Sequence, residues 1–353
     1  MPQLNDISAD WLTDVFRSEN VISSTASIKS YETKVLTGGL MADTLRLTLE
    51  YVNGNGTEPG SVVGKFPSSN PDSRAAGHEM AAYSKEVNFY KHLSKQLSMR
   101  APICYYASID EETSDFVLIL EDVSPAIVAT PETENAKDLM LLSMEELALL
   151  HGDSRGKPDI ERHANHGQVS DKKMIGAVTT GWDILKQAAD ERLPAASIAA
   201  GDTIVQNIEK LHNLQKQNGC LVHGDYRFPN ILYRGNDEAI TVDWQTYQWQ
   251  AAGIDLAHGI INSLELDLAR EHYEECLSRY HQKMVDLGFA DYSIDDCYYD
   301  FKVGILSDME FLMLTTCSVG SSNLSDAARN QILNACHRVW AFADDLNALE
   351  VLK

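Results

Sequence analysis

Residues 221–245 read LVHGDYRFPNILYRGNDEAITVDWQ, and this stretch constrains the fold more than any other. Two apolar, β-branched-rich runs, residues 230–233 and 239–242, flank Arg234-Gly235-Asn236-Asp237-Glu238, whose glycine and asparagine tolerate the positive φ of a tight connection. The pattern predicts a β-hairpin. In an antiparallel pair, the residue entering the first strand lies beside the residue leaving the second. Asn230 and Asp243 are therefore expected as neighbours at the open end. Asp225, on a loop stiffened by Pro229, is expected to curl back as a third oxygen-bearing group. Hard oxygen donors of this kind suit Mg²⁺ rather than zinc.

The chain has 353 residues, 44% of them hydrophobic, enough for one large or two medium domains, each with its own core. Its formal charge of −23 leaves no basic excess to displace counterions from a nucleic-acid backbone. Nucleic acid is thus not an expected partner; cationic or neutral small molecules are, and the acidity equally serves solubility. Six cysteines (Cys104, Cys220, Cys276, Cys297, Cys317, Cys336) lie scattered without a C-x-x-C pair, as expected of reduced thiols in a cytoplasmic protein. Residues 1–10 have no basic region followed by an apolar run, so no signal peptide is expected. No membrane span is expected either, since the most apolar late stretch, residues 303–314, is broken by Asp308 and Glu310. Nothing in the sequence sets an oligomeric state.

In chain order, Ser8 can cap a short helix in which Trp11, Leu12, Val15 and Phe16 share a face. Strands are predicted at residues 27–36, 40–52 and 62–66, followed by a polar loop at 67–77. One helix is predicted at 78–97, where Tyr83, Val87, Tyr90, Leu93 and Leu97 recur at helical spacing, and then strands at 103–108 and 116–120. Beyond residue 123 the pattern is helical except for the hairpin, with helices predicted at 139–151, 177–185, 204–214, 254–264, 270–287, 298–315 and 327–349. The class is α+β, with a sheet-rich N-lobe over residues 1–122 and a mostly helical C-lobe over residues 123–353. His151-Gly152-Asp153 repeats the H-G-D tripeptide of residues 223–225. It has Pro158 where an asparagine should stand and no strand pair after it, so it reads as a helix end.

A β-rich lobe with an internal lysine and one main helix, followed by a helical lobe with H-G-D-x-x-x-x-N and a later aspartate, resembles the protein-kinase-like phosphotransferases. Within them it is most similar to the aminoglycoside phosphotransferase and choline kinase branch. Glu86-Val87-Asn88-Phe89-Tyr90, His223-Gly224-Asp225 and Val242-Asp243-Trp244-Gln245 resemble the ecdysteroid-kinase-like subgroup in particular. The resemblance spans roughly residues 37–257. It implies a bilobal protein-kinase-like fold, ATP and Mg²⁺ as cofactors, and a hydroxyl of a small molecule as phosphate acceptor.

The resemblance also implies roles. Asp225 would accept the proton of the acceptor hydroxyl, Asn230 and Asp243 would hold Mg²⁺, and His223 would brace the loop. Lys65 would bind the α- and β-phosphates, paired with Glu86, for which Glu79 is the competitor. Gly38 and Gly39 occupy the place of the nucleotide-covering loop. Residues 118–123 resemble the hinge whose backbone groups pair with adenine, which puts Glu121 and Val123 at the nucleotide. Asp255 would support the catalytic loop, or cap a helix. Arg227-Phe228-Pro229 departs from the small or differently polar residues common in relatives at this place, and Arg227 is expected either to contact phosphate or to point to solvent. The acceptor pocket draws on Trp182, Trp249, Tyr298, Tyr299, Asp308 and Glu310. These suit a cation such as choline or an aminoglycoside, whereas the ecdysteroid-like motifs point to a bulky apolar alcohol; both stay open. The alternative to a kinase is a catalytically silent nucleotide-binding pseudokinase or regulatory protein.

Overall fold

The computed structural model describes residues 7–36, 41–166, 170–189, 192–319 and 326–353. Gly38 and Gly39 lie outside the described residues. By its internal contacts the chain forms two compact units.

The first unit comprises Met1–Gln96, Arg100–Ala126 and Ile240–Thr246. Helix α1 (Ala9–Ser18) starts as expected: the Ser8 hydroxyl accepts the Trp11 amide at 3.1 Å, and Leu12, Val15 and Phe16 face inward. Strands β1 (Ser27–Val35), β2 (Ala42–Val52), β3 (Ser61–Pro67), β4 (Cys104–Ile109) and β5 (Phe116–Glu121) form one antiparallel sheet in the order β1-β2-β3-β5-β4. Leu12 and Phe16 of α1 share a core with Ile28, Leu47, Val62, Phe66, Val117 and Ile119 of the sheet. Burying these side chains is the main favourable term for the unit.

Two expectations for this unit are corrected. The polar loop predicted at 67–77 contains a helix, α2 (Pro71–Glu79). The Asn70 side chain accepts the amides of Asp72 and Ser73, and Pro71 opens the first turn with no amide to lose. The residues that read as loop serve as a helix start. The single helix predicted at 78–97 is interrupted at Ala81, which takes a left-handed φ of 55°. It resumes as α3 (Ala82–Asn88), opens into a π turn over Phe89–Leu93 and tightens to a 3₁₀ turn over Ser94–Gln96.

The second unit comprises Leu97–Met99, Ile127–Ala239 and Tyr247–Lys353. A short strand, β6 (Ile127–Val128), leads to α4 (Ala136–Ser154), α5 (Pro158–Ala164), α6 (Asp171–Ala189), α7 (Ala195–Gln206) and α8 (Ile208–Gln215). The helix expected at 204–214 is thus divided at Asn207, and α5, which no apolar periodicity announces, begins at Pro158. Next come β7 (Cys220–Val222), β8 (Ile231–Arg234), β9 (Glu238–Thr241), whose last two residues are counted with the first unit, and β10 (Gln248–Gln250). The hairpin is β8 and β9, with Gly235 at a φ of 66° in its turn. The pairing of β7 with β10, absent from the sequence reading, frames the segment after Val222. The unit ends in α9 (Gly253–Ser263), α10 (Leu266–Asp286), α11 (Ile294–Val319) and α12 (Asp326–Asp345). Among the described residues no helix is long and apolar enough to cross a membrane.

Helices α9 and α11 approach until backbone meets backbone. A methyl group on Gly304 would fall inside the carbonyl of Gly253, and one on Gly253 inside the carbonyl of Asp300. No other residue type fits this crossing without separating the helices. Gly304→Ala is therefore expected to lower unfolding stability by about 1–3 kcal/mol, the usual cost of overpacking, as measured by urea denaturation. Gly176→Ala, in helix α6 with nothing near its side-chain position, serves as the comparison for backbone effects alone.

Candidate active site

In the first unit, Lys65 sits in the interior of β3, opposite Thr44 of β2 and Leu118 of β5. Its ammonium lies 2.7 Å from Glu86 Oε1 and 3.0 Å from Asp243 Oδ1. Glu86, fully buried on α3, is the partner, so the choice between Glu79 and Glu86 falls to Glu86. The other oxygen of Glu86 accepts Gln245 Nε2 at 3.3 Å. Between Asp243 and Gln245, Trp244 stacks on Phe89 of the π turn, with ring centroids 3.8 Å apart and planes 7° from parallel. Each residue of the Asp243-Trp244-Gln245 tripeptide thus has its own anchor. Asp243 takes a φ of 66°, a left-handed conformation that aspartate tolerates better than most residues.

Burial alone would lower the Lys65 pKa, but the carboxylates of Asp243 and Glu86 outweigh it and hold the ammonium above the ordinary lysine value. Burial raises the Glu86 carboxyl, and Lys65 opposes that rise. At the expected hinge, both Glu121 oxygens accept Arg100 Nη2, at 2.7 and 2.6 Å, and the Glu121 amide donates to Ile103 O. The Val123 carbonyl accepts the Ala126 amide.

In the second unit, the H-G-D loop leaves β7 and turns at Gly224, whose φ of 81° admits glycine most readily. Asp255 of α9, fully buried, accepts the amide of His223 at 2.7 Å and that of Gly224 at 2.8 Å. It also lies 3.3 Å from His151 Nε2. Asp255 is therefore the support of the loop; the N-cap position of α9 belongs to Ala252. Burial would raise the Asp255 carboxyl, but the hydrogen bond from His151 and the loop amides hold it below its usual value. Burial pulls His151 down, so its neutral ring donates Nε2–H to Asp255 and accepts the Tyr280 hydroxyl at Nδ1, 3.0 Å away. His223 braces the loop from inside, with Nδ1 accepting the Asp225 amide at 3.2 Å.

The Asp225 carboxylate meets three donors. Its Oδ1 accepts His258 Nε2 at 2.8 Å and Arg227 Nε at 2.7 Å, and its Oδ2 accepts Asn230 Nδ2 at 2.8 Å. Arg227 is thus turned onto the carboxylate two residues before it, with a side chain 39% exposed. Burial opposes ionisation of Asp225, but His258 and Arg227 prevail and keep it well below the usual carboxylate range. Of the expected acceptor-pocket residues, three are internal. Asp308 accepts His258 Nδ1 at 2.7 Å, Glu310 accepts His212 and Gln215 at 2.7 Å each, and Trp182 donates to Asp202 at 2.8 Å. Tyr298 and Tyr299 border a surface cavity of about 280 Å³ together with Lys302 and Glu350.

The residues expected to hold Mg²⁺ fall in different units, Asn230 in the second and Asp243 in the first. Each offers a hard oxygen donor, the type that suits that ion. Asn230 spends its amide nitrogen on Asp225, and among the described residues its amide oxygen has no hydrogen bond. Likewise Asp243 gives Oδ1 to Lys65, and among the described residues nothing donates to Oδ2. Among the described residues no group of three or more His, Cys, Asp or Glu side chains is arranged to hold a metal.

Residues 38–288 match the ecdysteroid kinase-like family, more than half of the chain. The chain belongs to that family. No curated protein matches its sequence. The fold of this ecdysteroid kinase-like protein is similar to that of an ethanolamine kinase from Plasmodium vivax, at 11% identity, covering 88% of this chain and 82% of that one, with a TM-score of 0.56. It is similar to an aminoglycoside 2'-phosphotransferase bound to GDP, at 12% identity over 96% of this chain and 99% of that one, with a TM-score of 0.58. It is also similar to a choline kinase from Streptococcus pneumoniae, at 14% identity over 94% and 98%, with a TM-score of 0.53. These likenesses establish the protein-kinase-like bilobal fold.

Sequence reading missed two partners. His151 of the second H-G-D tripeptide ends a helix as expected, yet its ring reaches Asp255. His258 follows Asp255 by three residues on α9, a spacing that puts both near one helix face and could have signalled it. Asp255→Asn puts an amide where three donors converge and is expected to cost about 1.5–3 kcal/mol at neutral pH. Because the folded carboxyl lies below its unfolded value of about 3.9, its contribution is full above that pH and is lost as the pH falls through the folded value. Urea unfolding of both proteins should show their stability difference constant from pH 7 to 5 and shrinking below pH 4.

Proposed function

We propose that this protein is an ATP- and Mg²⁺-dependent phosphotransferase that moves the γ-phosphoryl group to a hydroxyl of a small molecule. The observation that carries this reading is the Asp225 carboxylate, held ionised on a loop fixed by Asp255 and His223, with one oxygen less occupied than the other. Such a group orients an acceptor hydroxyl and takes its proton as the new bond forms. Family membership, and fold neighbours named as ethanolamine kinase, aminoglycoside phosphotransferase and choline kinase, support the same chemistry.

The chain's own residues divide the work. Lys65, held in place by Glu86, presents a permanent positive charge to the α- and β-phosphates, and Asp243 would hold the metal through the oxygen not spent on Lys65. Asn230 orients Asp225 through its amide nitrogen, and its oxygen would hold the metal. When bound, Mg²⁺ neutralises phosphate charge and aligns the phosphates. Glu121 and Val123 are proposed at the nucleotide through their backbone atoms, and Gly38 and Gly39 as its cover.

Incubation with Mg²⁺, ATP and a panel of sterol, amino-alcohol and aminoglycoside acceptors should give a phosphorylated product by mass spectrometry. Asp225→Asn should reduce its formation by about 10²–10⁴-fold with little change in nucleotide affinity. Full transfer by that variant would remove the proposed base. Lys65→Ala should instead weaken ATP binding, read by calorimetry, since it deletes a ground-state phosphate contact. Binding of ATP without transfer to any acceptor would favour the pseudokinase.

A further inference from the structure

His258 is 4% exposed, and both of its ring nitrogens face carboxylates: Nε2 lies 2.8 Å from Asp225 Oδ1 and Nδ1 lies 2.7 Å from Asp308 Oδ1. An ionised carboxylate only accepts, so both nitrogens must donate, and an imidazole that donates twice is a cation. Asn262 Nδ2, 3.3 Å from Nδ1, gives its hydrogen to Asp308 Oδ2 at 3.0 Å. The Phe311 ring meets the imidazole edge to face, with centroids 5.2 Å apart. Asp225, His258, Asp308 and the partly exposed Arg227 together sum to zero charge, so the two carboxylates are compensated.

The two oxygens of Asp225 are not equivalent. Oδ1 accepts two charged donors, His258 and Arg227, which fill its lone pairs. Oδ2 accepts the neutral amide of Asn230 at 2.8 Å, and Arg227 Nη2 reaches it only at 3.5 Å. A lone pair on Oδ2 is left for another hydrogen. We propose that His258, held by Asp308, is the positioning residue of Asp225: a buried imidazolium that occupies Oδ1, fixes the rotation of the carboxylate and makes Oδ2 the oxygen that receives the acceptor hydroxyl. The inference rests on Asp225 being the base proposed above. It adds which oxygen acts and what sets it. The proton passes from the acceptor hydroxyl to Oδ2 as the hydroxyl oxygen bonds phosphorus and ADP leaves. His258 keeps both of its protons throughout.

The close crossing of α9 and α11 makes this possible. His258 and Asp308 each lie about one turn beyond the glycines, Gly253 and Gly304, that let the helices touch. In a looser crossing Asp308 would not reach the ring.

The test uses the full chain labelled with ¹⁵N-histidine. His258 should give the spectrum of a doubly protonated imidazolium from pH 6.5 to 8.5. In Asp308→Asn, which keeps a hydrogen-bonding side chain but removes the charge, the same signal should move toward a neutral ring within that window. With Mg·ATP and the best acceptor of the panel, or water if none is found, turnover in His258→Gln should fall about 10- to 100-fold. The ATP dissociation constant should stay within about twofold, because the residue acts through Asp225 and not on the nucleotide. Asp308→Asn should lie between the two proteins, and it carries the test if His258→Gln does not fold. A neutral His258 at pH 7.5 in the unmodified protein overturns the inference, as does turnover of His258→Gln within threefold of that protein. Absence of turnover in the unmodified protein removes the phosphotransfer reading, and the ¹⁵N spectrum still decides the charge of His258.

Discussion

A buried carboxylate with no exposed surface is costly unless every lone pair it presents is used, and Asp255 is arranged around that cost. Two backbone amides of the H-G-D loop and the neutral imidazole of His151 converge on it. The loop therefore cannot shift without leaving a charge unpaired in an apolar interior. That rigidity passes to Asp225, one residue beyond the second amide. Strand β7, paired with β10, and strand β8, paired with β6 and β9, supply the ends of the loop; Asp255 supplies its shape.

The first unit solves a parallel problem with the opposite sign. Lys65 is a cation in a strand interior, and Glu86 and Asp243 compensate it from α3 and from the segment after β9. Asp243 reaches it only by taking a left-handed backbone, which is held by flanking anchors: Trp244 on Phe89 and Gln245 on Glu86. The π turn at Phe89–Leu93 is a local departure from helix at the point where a large ring must be accommodated. In both units a charged group with a proposed role is fixed by charge compensation from an element distant in sequence.

Much of this was legible beforehand because it follows local rules. The hairpin showed itself through two β-branched runs around a glycine turn, α1 through a serine cap and one apolar face, and the sheet through alternation. What failed did so for identifiable reasons. Asn70 and Pro71 are loop formers and helix starters alike, and only the continuation of the chain tells which. Ala81 carries no signal for a left-handed residue. Asp308 and Glu310 looked like pocket carboxylates because charge suggests exposure, whereas each is buried and hydrogen-bonded to a histidine.

The sequence by itself determined the α+β class, the order of the motifs and the identity of the groups around Asp225 and Lys65, because periodicity, turn chemistry and motif spacing are properties of neighbouring residues. Glu86 was already expected beside Lys65, with Glu79 as competitor, and the structure pairs the two. The other partners were decided by tertiary structure: Asp255 gathered His151, and Asp225 met His258 backed by Asp308. Each of these contacts depends on how closely two elements pack, and in α9 and α11 that is set by two glycines whose significance appears only when the backbones touch.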